Sequence, residues 1–89
     1  MNVIWKWTLT PGSTDLHMPA DSKVLAVQMQ GGQPQLWALV DDHNPKVWRT
    51  FDVYGTGHAV PGNHGAYVGT FQMDSGALVW HVFESTRQG

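Results

Sequence analysis

The stretch Lys23-Val24-Leu25-Ala26-Val27-Gln28-Met29-Gln30-Gly31-Gly32-Gln33-Pro34-Gln35-Leu36-Trp37-Ala38-Leu39-Val40-Asp41 decides the fold. Its first eight residues alternate, with Leu25, Val27 and Met29 on one face and Gln28 and Gln30 opposite. Alternation with a period of two is the mark of a half-buried strand. Gly31-Gly32 between Gln30 and Gln33 predicts a two-residue hairpin, because paired glycines reach the positive φ angles that such turns demand. The return strand runs from about Gln35 to Asp41, with Pro34 expected at its first position or on an unpaired edge, since proline brings no N–H to a ladder. One unit of this hairpin sets the scale for the rest of the chain.

Outward from it the same period recurs. Val3, Trp5, Trp7 and Leu9 share a face opposite Lys6 and Thr8, and Pro11-Gly12 ends the segment. Thr14 to Met18 is a short second strand closed by Pro19. Asp41-Asp42-His43-Asn44-Pro45 reads as a turn whose carboxylates cap backbone N–H groups. Val47 to Tyr54 follows, rich in β-branched and aromatic residues. Tyr67 to Met73 and Leu78 to Glu84 close the series, joined across Asp74-Ser75-Gly76, and a polar tail runs from Ser85 to Gly89. No helical period competes. The reading is a single all-β domain over residues 1–89, a small antiparallel β-sandwich or partly open barrel of six to seven short strands. Such a domain leaves strand edges open, and a homo-oligomer is expected on that ground.

Composition narrows the partners. The chain has 89 residues, no cysteine, five tryptophans, five histidines and a formal charge of −2. That charge argues against a nucleic acid polymer or an anionic membrane surface as partner. No apolar run reaches the length of a membrane span, so a cytoplasmic protein is expected. Several strands are apolar on both faces: Trp37 and Leu39 point opposite to Leu36, Ala38 and Val40. An 89-residue core has little room for that surplus, which points to a partner subunit or a stacked ligand.

Chemistry-bearing residues are few. Gly55-Thr56-Gly57-His58 opens the longest irregular stretch, which ends at Gly65. Its glycines let backbone N–H groups approach a ligand and form an anion-binding concavity. No lysine follows at phosphate-loop spacing. His58 and His64 lie six residues apart, wider than the usual spacing of zinc-binding histidine pairs, so no metal site and no cofactor are expected. His81 reads as a half-buried histidine with one hydrogen bond. Asp52 beside Arg49 reads as an ion pair or a ligand contact. No serine sits in a nucleophile elbow, so no catalytic residue is assigned. The expected ligand-binding set is Arg49, Trp48, Tyr54, Gly55, Thr56, Gly57 and His58.

Ile4-Trp5-Lys6-Trp7, Leu36-Trp37-Ala38-Leu39-Val40-Asp41, Gly55-Thr56-Gly57-His58, Tyr67-Val68-Gly69-Thr70-Phe71-Gln72 and Leu78-Val79-Trp80-His81-Val82-Phe83-Glu84 resemble a small family of uncharacterised proteins. The family is found in bacteriophages and prophages and is described as a domain of unknown function. The resemblance implies a phage-type setting, with the host cell cytoplasm as location, and carries no catalytic residues. Small phage proteins that neutralise host defence by sequestering nucleotide-derived signals offer an analogy of context. The expected function is therefore a non-enzymatic sponge for a small nucleotide-like ligand. Two alternatives stand beside it: an accessory protein binding a host or virion protein, and a hydrolase or lyase using His58 or His64.

Overall fold

In the computed structural model, which describes residues 1–85, the chain forms seven antiparallel strands in two sheets. The strands are β1 (Asn2–Thr8), β2 (Ser13–Pro19), β3 (Lys23–Gln30), β4 (Gln33–Asp41), β5 (Lys46–Gly55), β6 (Ala66–Met73) and β7 (Leu78–Glu84). One sheet has the order β1-β4-β3 and the other β2-β5-β7-β6, and neither closes into a barrel. The architecture is a small open sandwich. No helix of the described residues is long and apolar enough to cross a membrane. Residues 86–89 of the expected polar tail lie outside the described residues.

The β3–β4 hairpin forms as its glycines predict. Gln30 pairs with Gln33, and Gly31 and Gly32 have φ of 60° and 81°. Both positive values identify the type I′ turn, whose twist matches that of the flanking strands. Two details differ from the sequence reading. Pro34 is the second residue of β4 and lies in its central strand, opposite Met29. It is tolerated there because the β1 ladder ends at Thr8–Gln35, and beyond it the Pro34 carbonyl only accepts, from the Leu9 N–H at 2.9 Å. In β3 the pairing slips between Val24 and Ala26. This bulge turns Val24 onto the core and leaves Leu25 exposed, against the simple alternation.

The inner faces meet as an apolar layer. Leu36, Ala38 and Val40 of β4 oppose Leu16 and Met18 of β2, Phe51 of β5, Phe71 of β6 and Val82 of β7, all of them buried. Trp5, Trp7 and Trp80 pack around this cluster half-buried. Each fully buried large side chain of this kind contributes about 1.5–3 kcal/mol relative to exposure.

Arg49 belongs to this interior and not to the surface. Its Nε and Nη2 donate to the two carboxylate oxygens of Glu84 at 2.6 and 2.7 Å, and Nη1 donates to the Ser22 carbonyl at 2.6 Å. The guanidinium also sits over the Phe51 ring, 5.6 Å from its centre. Asp52 is not its partner, because residues three apart on a strand point to opposite faces. Asp52 instead accepts a hydrogen bond from the Ser13 hydroxyl across the outer face of β2 and β5.

The two sheets approach most closely where β6 crosses β3. A Cβ added to Gly69 would stand 2.7 Å from Val27 Cγ2. Gly69→Ala is therefore expected to cost about 1–3 kcal/mol through overpacking. Adding Val27→Ala should return part of that loss, so the pair should be clearly non-additive in urea-unfolding midpoints. Strictly additive costs would show that the sheets do not meet at this point.

Candidate functional site

The strand ends around Trp80 carry two recesses. The first is a cleft of about 170 Å³ between the sheets, walled by Pro11, Pro34, Val53, Phe71, Met73 and Trp80, with Leu78 at its mouth. Its lining is almost entirely carbon, Thr10 being the only hydroxyl-bearing side chain. The second, of about 260 Å³, is bounded by Gly55, Thr56, His58, Ala77, Val79 and again Leu78 and Trp80. Trp80 and Leu78 are common walls. One recess is apolar and the other offers a hydroxyl and an imidazole.

The Gly55–His58 turn builds the polar recess. The His58 N–H donates to the Gly55 carbonyl at 3.0 Å, and Gly57 has φ of 86° at the third position, which makes a type II turn. Gly55 has no space for a side chain, since an added Cβ would lie 2.7 Å from His58 Nδ1 and 3.1 Å from the Trp80 ring. The absence of a side chain lets the His58 imidazole fold back edge-on to Trp80, with ring centres 5.9 Å apart. The expected anion cradle does not form here. The Thr56 N–H is committed to the Val79 carbonyl at 3.0 Å and the His58 N–H to Gly55, so successive N–H groups do not converge on open space.

Trp80 contributes one further feature. Its Nε1–H is buried and has no hydrogen-bond partner among the described residues. An unsatisfied buried donor of this type costs about 1–3 kcal/mol.

Thr56 also links the recess to the outer face of the four-stranded sheet. Its hydroxyl bonds His81 Nε2 at 2.7 Å, His81 Nδ1 bonds the Thr70 hydroxyl at 3.0 Å, and Thr70 meets the Tyr67 hydroxyl at 2.5 Å. His81 thus makes two side-chain hydrogen bonds where the sequence suggested one. The same face carries an aromatic cluster centred on Phe83, with His64, Tyr67 and Tyr54 at 5.0, 5.6 and 5.8 Å. Further along it, Trp48 stacks on His17 at 4.4 Å.

The sequence-predicted set is therefore split three ways. Gly55, Thr56 and His58 come together in the polar recess, with Gly57 shaping its turn. Trp48 and Tyr54 lie on the outer face of β5. Arg49 lies on the inner face, engaged by Glu84. Trp80, Leu78, Phe71, Met73 and Val53 were missed as site residues. Nothing in the sequence sets them apart from other strand residues as cleft walls, and only the stacking of the two sheets shows that the core opens at this end.

His58 and His64 do not converge either. His58 packs on Trp80 and His64 on Phe83, and these two residues point to opposite faces of β7. The one group of potential metal ligands among the described residues, Asp41, Asp42 and His43, lies at the far end of β4. Asp41 there caps the His43 N–H at 3.0 Å, as the turn reading expects, and that bond leads the effects holding its carboxyl below the ordinary value.

No curated protein and no solved structure matches the chain. A family model does, over residues 1–89, and its description is a domain of unknown function. By that match the chain belongs to the DUF7352 family.

Proposed function

We propose that this domain binds a small ligand and holds it without transforming it, in the paired recesses around Trp80. The observation that carries the reading is the shared wall. An apolar cleft and a polar recess meet at Trp80 and Leu78, which suits a ligand with a flat apolar group and a polar remainder. The cleft volume of about 170 Å³ suits a group of one aromatic ring, since a dry cavity of about 150 Å³ accepts benzene. Thr56 and His58 then face the polar part.

The nucleotide-like ligand expected from the sequence gains less support from this geometry. A nucleobase carries polar edges that the carbon-lined cleft leaves unpaired, at a cost of about 1–3 kcal/mol each. Arg49, the cation expected to meet a phosphate, is bound inside the fold. The reading accordingly shifts to an uncharged, aryl-bearing ligand. The engagement of His81 by two threonines and the separation of His58 from His64 support binding over catalysis. In the phage setting that the resemblance implies, such capture would withdraw a small signal from the host cytoplasm.

Thermal unfolding with indole, 2-phenylethanol and adenosine as probes tests this. A probe present at a hundred times its dissociation constant stabilises the fold by about 2.7 kcal/mol, which moves the melting temperature of a domain this size by about 10 °C or more. Indole and 2-phenylethanol are expected to raise the midpoint and adenosine to do so less. Leu78→Trp, which fills the wall common to both recesses, should abolish the shift while the domain stays folded. The absence of any shift at millimolar probe, or a shift that survives Leu78→Trp unchanged, would refute the site. A shift with adenosine alone would return the ligand to the nucleoside class.

A further inference from the structure

Among the described residues no layer covers the outer face of the three-stranded sheet, and that face is apolar at its centre. Ile4 of β1 pairs with Leu39 of β4, and they are 56 % and 37 % exposed. Trp37, two residues along β4, lies on the same face opposite Lys6 of β1 and Ala26 of β3. Leu25, lifted out by the bulge, adds a further apolar side chain at 47 % exposure. This face explains the two-sided apolar character of β4. The inner residues serve the core, and the outer ones meet water.

Charge is not distributed evenly around the patch. Lys6 stands two residues from Ile4 toward one end, where its ammonium reaches Gln30 at 2.7 Å. The Asn2–Asp41 pair stands two residues from Ile4 toward the other end. Each offset corresponds to about 7 Å along a strand. Asp41 and Asp42 share the Met1 amine at 3.3 and 3.0 Å, with the His43 imidazole 3.8 and 3.7 Å away, and with that imidazole neutral this end keeps a net negative charge. The two ends of one face are opposite in sign and equidistant from its apolar middle.

From this symmetry we infer that the face is the interface of a homodimer. A two-fold axis in the plane between the sheets, running across the strands at the Ile4–Leu39 pair, reverses strand direction from one copy to the next. It lays Ile4 and Leu39 on Ile4 and Leu39 of the partner subunit, and brings Lys6 over the partner's Asn2, one strand from the partner's Asp41 and within reach of its carboxylate. The alternative axis, along the strands, would set acidic end against acidic end. Two sheets stacked in this way lie about 10 Å apart, a gap that aliphatic and indole side chains fill from both sides. Such an interface is isologous and closes on itself, so assembly stops at two copies. Lys23, level with the axis opposite Leu39, faces its own counterpart and opposes association.

Sedimentation velocity on the full chain from micromolar to hundreds of micromolar tests the inference. A monomer–dimer equilibrium is expected. Leu39→Lys should yield monomer throughout, with an unchanged circular dichroism spectrum. Lys6→Asp should weaken the dimer by about tenfold, as two symmetric ion pairs of modest strength become repulsive. Lys23→Ala should tighten it. Because Asp41 also caps its turn, the compensating change is made at its neighbour: Asn2→Lys added to Lys6→Asp should restore association. A protein monomeric at the highest concentration, or a dimer indifferent to Leu39→Lys and Lys6→Asp, would overturn the interface. So would assemblies larger than dimers that persist in Leu39→Lys.

Discussion

Gly65→Ala is expected to destabilise the domain severely at 25 °C, whereas Gly62→Ala, three residues earlier in the same loop, should be neutral or slightly stabilising. A Cβ on Gly65 would fall 1.4 Å from the Glu84 carbonyl oxygen and 2.6 Å from its carbonyl carbon. Those are backbone atoms, and they cannot rotate aside. Relief requires β6 to move away from β7 where Ala66 pairs with Glu84. Glu84 also pairs with Phe51 of β5, so the displacement reaches the strand that carries the core. A loss of about 4 kcal/mol or more is expected, which lies in the exceptional range for a single substitution. Total stability for a domain of this size is about 4–13 kcal/mol, so a loss of that size brings the weaker end of the range to zero.

Among the described residues nothing lies within 4 Å of a Cβ added to Gly62, and its φ is not positive. An alanine there mainly restricts the unfolded chain, for a gain of about 0.4–1 kcal/mol. Urea unfolding followed by tryptophan fluorescence compares the two variants directly. If Gly65→Ala stays within 1 kcal/mol of the parent, β6 does not enter the sheet against Glu84 as described.

The contrast between these two glycines shows what a sequence makes legible. The strands were readable because alternation is local: Val3, Trp5 and Trp7 announce their common face without reference to any other part of the chain. The Gly31-Gly32 turn was readable for the same reason. Gly62 and Gly65 look alike in sequence, and only the register of β6 on β7 separates them. The candidate site follows the same division. Gly55, Thr56 and His58 stood out as a polar, glycine-bearing turn. Trp80 and Phe71 did not, since a residue facing inward near a strand end belongs to core or cleft according to how far the opposite sheet extends. Trp48 and Arg49 were grouped because both suit a ligand, although period two already places them on opposite faces. Trp37 and Leu39 stand out in the sequence as surplus to one core, whereas Ile4 does not, and their shared outer face depends on the β1–β4 register.

Arg49→Ala is expected to destabilise the domain by about 2–3 kcal/mol and to lower its melting temperature by about 10–20 °C, without a direct effect on the recesses at Trp80. Arg49 joins three elements: β5 through its own backbone, β7 through the two-pronged bond to Glu84, and the β2–β3 turn through the Ser22 carbonyl. Removal leaves a carboxylate and a carbonyl in partly buried positions with no replacement donor among the described residues. The side chains are 20 % and 28 % exposed, so water reaches both, and the loss falls below the 3–5 kcal/mol of a fully buried pair.

Glu84 holds the Arg49 pKa above the ordinary arginine value. A raised pKa on a cation contributes stability at every pH below it, and that contribution disappears only as pH climbs past it. The arginine side of the pair therefore does not titrate anywhere in the neutral or acidic range. Arg49→Lys keeps the charge and loses the fork, and should cost about half as much. Arg49→Met with Glu84→Leu removes both charges and should recover most of the loss, because an apolar pair of similar volume avoids the desolvation cost. Guanidinium-independent unfolding, by heat or urea, measures all three. If Arg49→Ala keeps its full stability but loses the probe-induced thermal shift, Arg49 is a ligand contact after all, and the clamp described here is not what holds β5, β7 and the Ser22 turn together.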